Sequence, residues 1–245
     1  MIVCIAVLLG SLAGFGDVLS FAQSVLLFDS IAAAHGLKSD TPHSSVQMTG
    51  TVDRGGKAQQ FRLIATQDEQ VRIEYGTAGT DTQVFGKHQS FHDDGKTFTY
   101  DKVTPGFSQL DITGLFFVEQ LRARPVQAIA IGDSPVVAGV KMQRLRIENE
   151  RTEMQKGTQL VKDDVDLFVN EAGLLMAVSR SFYTGRPDAY TQAFAFSDYR
   201  KTDDGLLPFQ IDVYIKAQRR LTFKIERYQF DVPAEKGLFL GRRTK

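Results

Sequence analysis

From Val46 onward the chain alternates apolar and polar residues with a period of two. Val46, Met48 and Val52 are interleaved with Gln47, Thr49 and Thr51, and the pattern resumes at Phe61, Leu63 and Ala65 after the turn Asp53-Arg54-Gly55-Gly56-Lys57. Val71, Ile73 and Tyr75 alternate with Arg72 and Glu74. Successive side chains on a strand point to opposite faces, so each segment predicts a strand with one dry and one wet face, as in antiparallel sheets. Short strands are expected at Val84-Phe85 and, past Asp93-Asp94-Gly95, at Phe98 to Tyr100. Longer ones are expected at Val136 to Ile147, Leu160 to Val169, Leu174 to Phe182 and Tyr190 to Tyr199. In the final hairpin Phe209, Ile211, Val213 and Ile215 face Leu221, Phe223 and Ile225, while Gln210, Asp212, Lys216, Lys224 and Glu226 take the other side.

Two segments break this rhythm. Ser24 to Leu37 clusters Val25, Leu26, Leu27, Phe28, Ile31 and Ala32 to Ala34 as a helix would, with Gly36 suited to its C-terminus and Pro42 barring continuation. Asp111 to Ala123 reads as a helix with an Asp N-cap, ending before Arg124-Pro125. Its Leu115, Phe116, Phe117, Val118 and Leu121 point nearly all round the axis, so it should be buried.

The expected architecture is mainly β: one domain of ten or eleven antiparallel strands with two or three short helices. A sheet of that size leaves an interior to be filled or occupied. Phe61, Leu63, Val71, Ile73 and Phe98 are expected to line it, together with Phe209, Ile211, Val213, Leu221, Phe223 and Ile225 of the last hairpin. Leu115, Phe116, Phe117 and Leu121 should touch the same space as a lid or plug.

Composition refines this picture at two points. Phe 18 and Tyr 7 with Trp 0 suit a dry interior more than a polar binding rim. Lys and Arg total 29, as do Asp and Glu, so no net field is expected to recruit nucleic acid or an anionic membrane. The segment from Met1 to Phe28 differs from the rest: its one charge is Asp17, its apolar run has the length of a secretory h-region, and Ser20-Phe21-Ala22 resembles a signal-peptidase site. Residues 1–22 are therefore expected to be a cleaved signal peptide and 23–245 the mature domain, exported without its sole cysteine, Cys4.

Catalytic and cofactor motifs do not survive inspection. Gly95-Lys96-Thr97 ends like a phosphate-binding loop, but Ser90 stands where the first glycine belongs and a strand follows. His88 and His92 lie in an extended segment, about 13 Å apart at ~3.3 Å per residue, too far to share one metal ion. Asp163, Asp164 and Asp166 lack the glycine and terminal glutamate of a calcium loop and read as a solvated strand edge. Ser134, in Gly132-Asp133-Ser134-Pro135, does not sit in a nucleophile elbow. The sequence thus predicts a non-enzyme without cofactor or metal.

Several blocks in order resemble the LolA/LolB-like superfamily of periplasmic lipoprotein carriers and outer-membrane lipoprotein-sorting proteins. They are Ile31-Ala32-Ala33-Ala34-His35-Gly36 leading to Gly50-Thr51-Val52, then Asp94-Gly95-Lys96-Thr97-Phe98-Thr99-Tyr100, then Ser197-Asp198-Tyr199-Arg200 with Gly205-Leu206-Leu207-Pro208-Phe209, and the ending from Leu221 to Phe239. The resemblance implies an unclosed, curved antiparallel half-barrel whose concave face is covered by helices and accepts acyl chains. Its implied partners are a lipid, an acylated protein or another envelope protein. In the family's carrier an arginine before a proline latches the lid; Ala65-Thr66-Gln67 has neither residue, which favours a looser relative. The expected function is periplasmic, non-catalytic binding or carriage of a lipid, acyl chain or lipoprotein. The alternative is an envelope sensor or scaffold that binds protein through the curved sheet.

Overall fold

A computed structural model describes residues 17–37, 42–76, 81–85, 90–100, 110–123, 126, 128–131, 136–137, 140–148, 150–154, 158–183, 190–235 and 237–240. The first half holds β1 (Asp17–Val18), α1 (Phe21–Ala34), β2 (Ser45–Arg54), β3 (Lys57–Thr66), β4 (Gln70–Tyr75), β5 (Asp81–Phe85), β6 (Ser90–Asp93) and β7 (Phe98–Tyr100). A 3-10 turn (Leu110–Thr113) and α2 (Leu115–Ala123) follow. The second half holds β8 (Ala128–Ile131), β9 (Val136–Val137), β10 (Val140–Ile147), β11 (Glu150–Met154), β12 (Thr158–Asn170), β13 (Leu175–Tyr183), β14 (Tyr190–Thr202), β15 (Gly205–Ile215) and β16 (Gln218–Phe230).

All strands belong to one antiparallel sheet in the order β1-β8-β10-β12-β13-β14-β15-β16-β2-β3-β4-β5-β6-β7, with β9 beside β10 and β11 beside β12. Strands β1 and β7 end the order, so the sheet is unclosed. Among the described residues it has sixteen strands, more than the ten or eleven expected. The surplus comes from the two-residue β1 and β9, from the short β6, and from β8 and β11, whose sequences Ala-Ile-Ala-Ile and Glu-Arg-Thr-Glu-Met carry no apolar/polar alternation.

The pairing of β16 with β2 joins the ends of the chain's β region at the centre of the sheet. That junction holds a bulge between Ile225 and Arg227, opposite Gly50. A Cβ on Gly50 would lie 2.1 Å from the Lys224 carbonyl oxygen, so only glycine admits this approach.

Helix α1 starts three residues before the expected Ser24 because Ser20 caps it. Gln23 N–H donates to Ser20 Oγ at 3.3 Å and Ser20 N–H donates to Gln23 Oε1 at 2.8 Å, a reciprocal capping box. Its C-terminus closes at His35 and Gly36, where Gly36 and Leu37 N–H return to the carbonyls of Ala33 and Ala32. Asp111 is not the cap of α2: it sits inside the 3-10 turn.

Candidate functional site

One face of the sheet and both helices enclose a single apolar cluster. From the β2 to β4 side come Met48, Val52, Phe61, Leu63, Ala65, Val71 and Ile73. The β10 to β14 side contributes Leu145, Ile147, Val165, Leu167, Val178, Phe194 and Phe196, and the helices add Phe28 and Ile31 from α1 with Leu115 to Val118 from α2. The register explains the grouping: Leu63 stands opposite both Met48 and Ile73, Leu145 opposite Leu167, and Ile211 opposite both Phe196 and Phe223.

Of the expected lining residues, Phe61, Leu63, Val71, Ile73, Leu115, Phe116, Phe117, Ile211, Val213, Phe223 and Ile225 are buried in this cluster, and Leu121, Phe209 and Leu221 pack against it half-buried. Phe61 and Phe223 meet edge to face with centroids 4.8 Å apart. Phe98 is the exception. Asp93 pairs with both Thr82 and Phe98, and Thr82 pairs with Glu74, so Phe98 shares the face of Glu74 and not that of Val71 and Ile73. There it packs near Phe91, with centroids 5.2 Å apart.

The seat of the helices is apolar, yet a few polar contacts fix their position. Asp111 and Arg180 form a buried ion pair, 1% and 5% exposed, in which Arg180 Nε donates to Asp111 Oδ2 at 2.9 Å. This ties the turn before α2 to β13. At the other side of α2, buried Glu119 takes His43 Nδ1 at 2.9 Å, while Gln120 Nε2 donates to the His43 carbonyl at 3.2 Å. Burial raises the Glu119 carboxyl above its ordinary range against the opposing pull of His43 and Arg122. The helices join each other through Arg122 and Asp29 at 2.8 Å, and α1 joins β8 through Ala128 N–H donating to Ser24 Oγ at 3.0 Å.

His35, at the end of α1, is the most constrained polar group in the region. Leu175 N–H donates to its Nε2 at 3.0 Å, so Nε2 is unprotonated; Nδ1 therefore carries the proton and donates to the Leu206 carbonyl at 2.8 Å. One neutral ring thus bridges β13 and β15, and burial holds its pKa below the usual value. Leu206 N–H returns to the His35 carbonyl at 2.7 Å, and Gly205 beside it has φ +123° and would place a Cβ 2.6 Å from that carbonyl, so the position takes glycine on both counts.

Other expectations resolve more simply. His92 lies on β6 and bonds Asp81 at 2.8 Å, whereas His88 and Ser134 lie outside the described residues. At Asp164 and Asp166 the acidic cluster is not a solvated edge, since both are buried; the Asp163 side chain lies outside those described. Asp166 accepts from Arg144 Nη2 at 2.7 Å and Arg146 Nε at 2.8 Å. Burial would raise its pKa, but the bonds from Arg146 and Arg144 outweigh that and lower it.

The fold has solved counterparts. A domain from Vibrio parahaemolyticus, provisionally named an outer membrane lipoprotein-sorting protein domain, matches over 90% of this chain and 97% of its own, with TM-score 0.52 and 10% identity. This chain shares the fold of that domain. A DUF1329 family protein from Desulfovibrio piger (TM-score 0.45, 11% identity, 88% of this chain, 96% of its own) and a LolA superfamily protein from Nitrosomonas europaea (0.43, 9%, 88%, 96%) also match. No protein-family profile matches, and no curated protein matches by sequence. Within this fold, the enclosed apolar face and its helical cover form the candidate site.

Proposed function

We propose that this protein is a periplasmic, non-catalytic binder or carrier of a lipid, acyl chain or lipoprotein, held between the helices and the apolar sheet face. The observation that carries the reading is the cover itself. Leu115, Phe116 and Phe117 of one short helix are buried in the same cluster as Phe61, Leu63, Val71 and Ile73, so that helix occupies apolar volume an acyl chain would suit. A curved sheet wrapping the helices, as the resemblance implies, would make this face the ligand compartment. Export is supported by the leader-like first segment; the expected cut after Ala22 would remove β1 and the Ser20 cap of α1 but leave its buried residues Ser24, Phe28, Ile31 and Ala32.

The test is Phe116→Ala, measured by thermal unfolding and by uptake of a fluorescent fatty acid. For a displaceable cover the variant remains folded and takes up more probe than the unaltered chain. If the helix is a permanent filler, the variant loses about 3–5 kcal/mol as buried Phe truncations do, with no gain in probe. That second outcome would overturn the carrier reading and favour the sensor or scaffold.

A further inference from the structure

Zero formal charge led to the expectation that no anionic surface is recruited; the fold gathers cations at two neighbouring hairpin tips, three strands away from Asp93, Asp94 and Lys96 of the β6–β7 turn at the same end. The β2–β3 and β15–β16 hairpin tips lie side by side because β16 pairs with β2, Leu221 standing opposite Arg54. Together they carry Arg54, Lys57, Lys216, Arg219 and Arg220 against one acid, Asp53. Two of these charges are committed locally: Arg54 bonds Asp81 at 2.6 Å, and Asp53 accepts from Gly56 N–H at 2.7 Å. Lys57, Lys216, Arg219 and Arg220 are exposed, with Arg219 reaching no nearer than 4.0 Å to Asp212. At the other end of the strands, the described turns hold Asp68, Glu69, Glu171, Asp203 and Asp204 and no basic residue.

The ten residues of β2 separate these ends by about 33 Å at ~3.3 Å per residue, several times the ~8 Å Debye length of physiological salt. The two hairpin tips therefore present their own local field, and the neutral total does not cancel it. Between the tips Gly55, Gly56, Arg219 and Arg220 border a cleft of about 150 Å³, roughly five times the ~30 Å³ of one liquid water and space enough for a tetrahedral anion. Asp53 shares that cleft, so the cations act as a surface and not as a closed anion pocket.

We propose that the paired hairpin tips dock this protein onto a bilayer rich in anionic phospholipid, with headgroup phosphates meeting Lys57, Lys216, Arg219 and Arg220. A membrane fits better than nucleic acid because the cations form a spot and not a stripe along a backbone, with one ring beside them, Tyr214 opposite Arg219. The inference stands apart from the acyl-chain reading and survives its failure.

The test is cosedimentation of the full chain with vesicles of phosphatidylglycerol in phosphatidylcholine against phosphatidylcholine alone, at low and high salt. The expected result is a preference for the anionic vesicles that salt weakens. Arg219→Glu with Arg220→Glu should reduce that preference at least ~25-fold, about fivefold for each charge removed. Lys201→Glu with Arg227→Glu makes the same change in net charge at exposed positions away from the tips and should leave the preference nearly intact. Unfolding temperatures of both pairs should match the unaltered chain. Equal loss in the two pairs, or no anionic preference, overturns the proposal. Tighter salt-sensitive binding to a single-stranded oligonucleotide than to the anionic vesicles would reassign the patch to nucleic acid.

Discussion

Replacing His35 by alanine should cost stability in a pH-dependent way that can be worked out from its two hydrogen-bond partners. The ring receives the Leu175 N–H at 3.0 Å and serves the Leu206 carbonyl at 2.8 Å. Each bond contributes a net ~0.5–1.5 kcal/mol, and leaving a buried N–H unpaired costs ~1–3 kcal/mol, so His35→Ala should lose about 2–4 kcal/mol near neutral pH. The pH dependence follows from the depressed pKa of the buried ring, set against its ordinary value of 6.5 in the unfolded chain. Between the two, the unfolded state binds the extra proton. The contribution of His35 is therefore complete above pH 6.5 and is lost as pH falls through the folded-state value, with a slope of at most ~1.4 kcal/mol per pH unit. Protonated Nε2 could no longer accept from Leu175, which is the structural form of the same statement. Urea unfolding of both chains across this range gives a difference curve in which other titrating groups cancel. The gap should be widest above pH 6.5 and narrow in acid; parallel curves would refute the assigned tautomer and the bridge.

Two further outcomes follow from the anchors of the helices. Arg180→Met alone should cost about 3–5 kcal/mol by leaving Asp111 charged and buried, whereas Arg180→Met with Asp111→Leu should recover most of it; equal losses in denaturant melts would show the two are not coupled. N-terminal sequencing of the exported protein should begin at Gln23, and a chain retaining Met1 in the membrane would remove the leader reading.

Alternation carried much of the fold into view because a one-residue slip exposes every core side chain. In the last hairpin Ile211 pairs with Phe223 and Val213 with Leu221, as the spacing required. Parity fails where several turns intervene: Phe98 follows three short strands from Ile73, and the register of each turn decides its face. Charge was a poor guide to exposure on β12, where Asp166 reads as solvated until β10 sets Arg146 opposite it. His35 and the Asp111–Arg180 pair were invisible for a different reason. Their partners stand 140 and 69 residues away, and no local period reports such contacts.

The distribution of contacts bears on how the site works. Apolar attraction is non-directional and scales with area removed from water, so exchanging the α2 side chains for an acyl chain of similar area changes that contribution little. What then separates a closed cover from an open one is the short set of directional contacts, His43 to Glu119 and Arg180 to Asp111 on α2 and its leading turn, and Arg122 to Asp29 between the helices. The His35 bridge does not belong to that set. It binds the end of α1 to β13 and β15, so under the proposed carrier reading α1 would stay fixed while α2 moved.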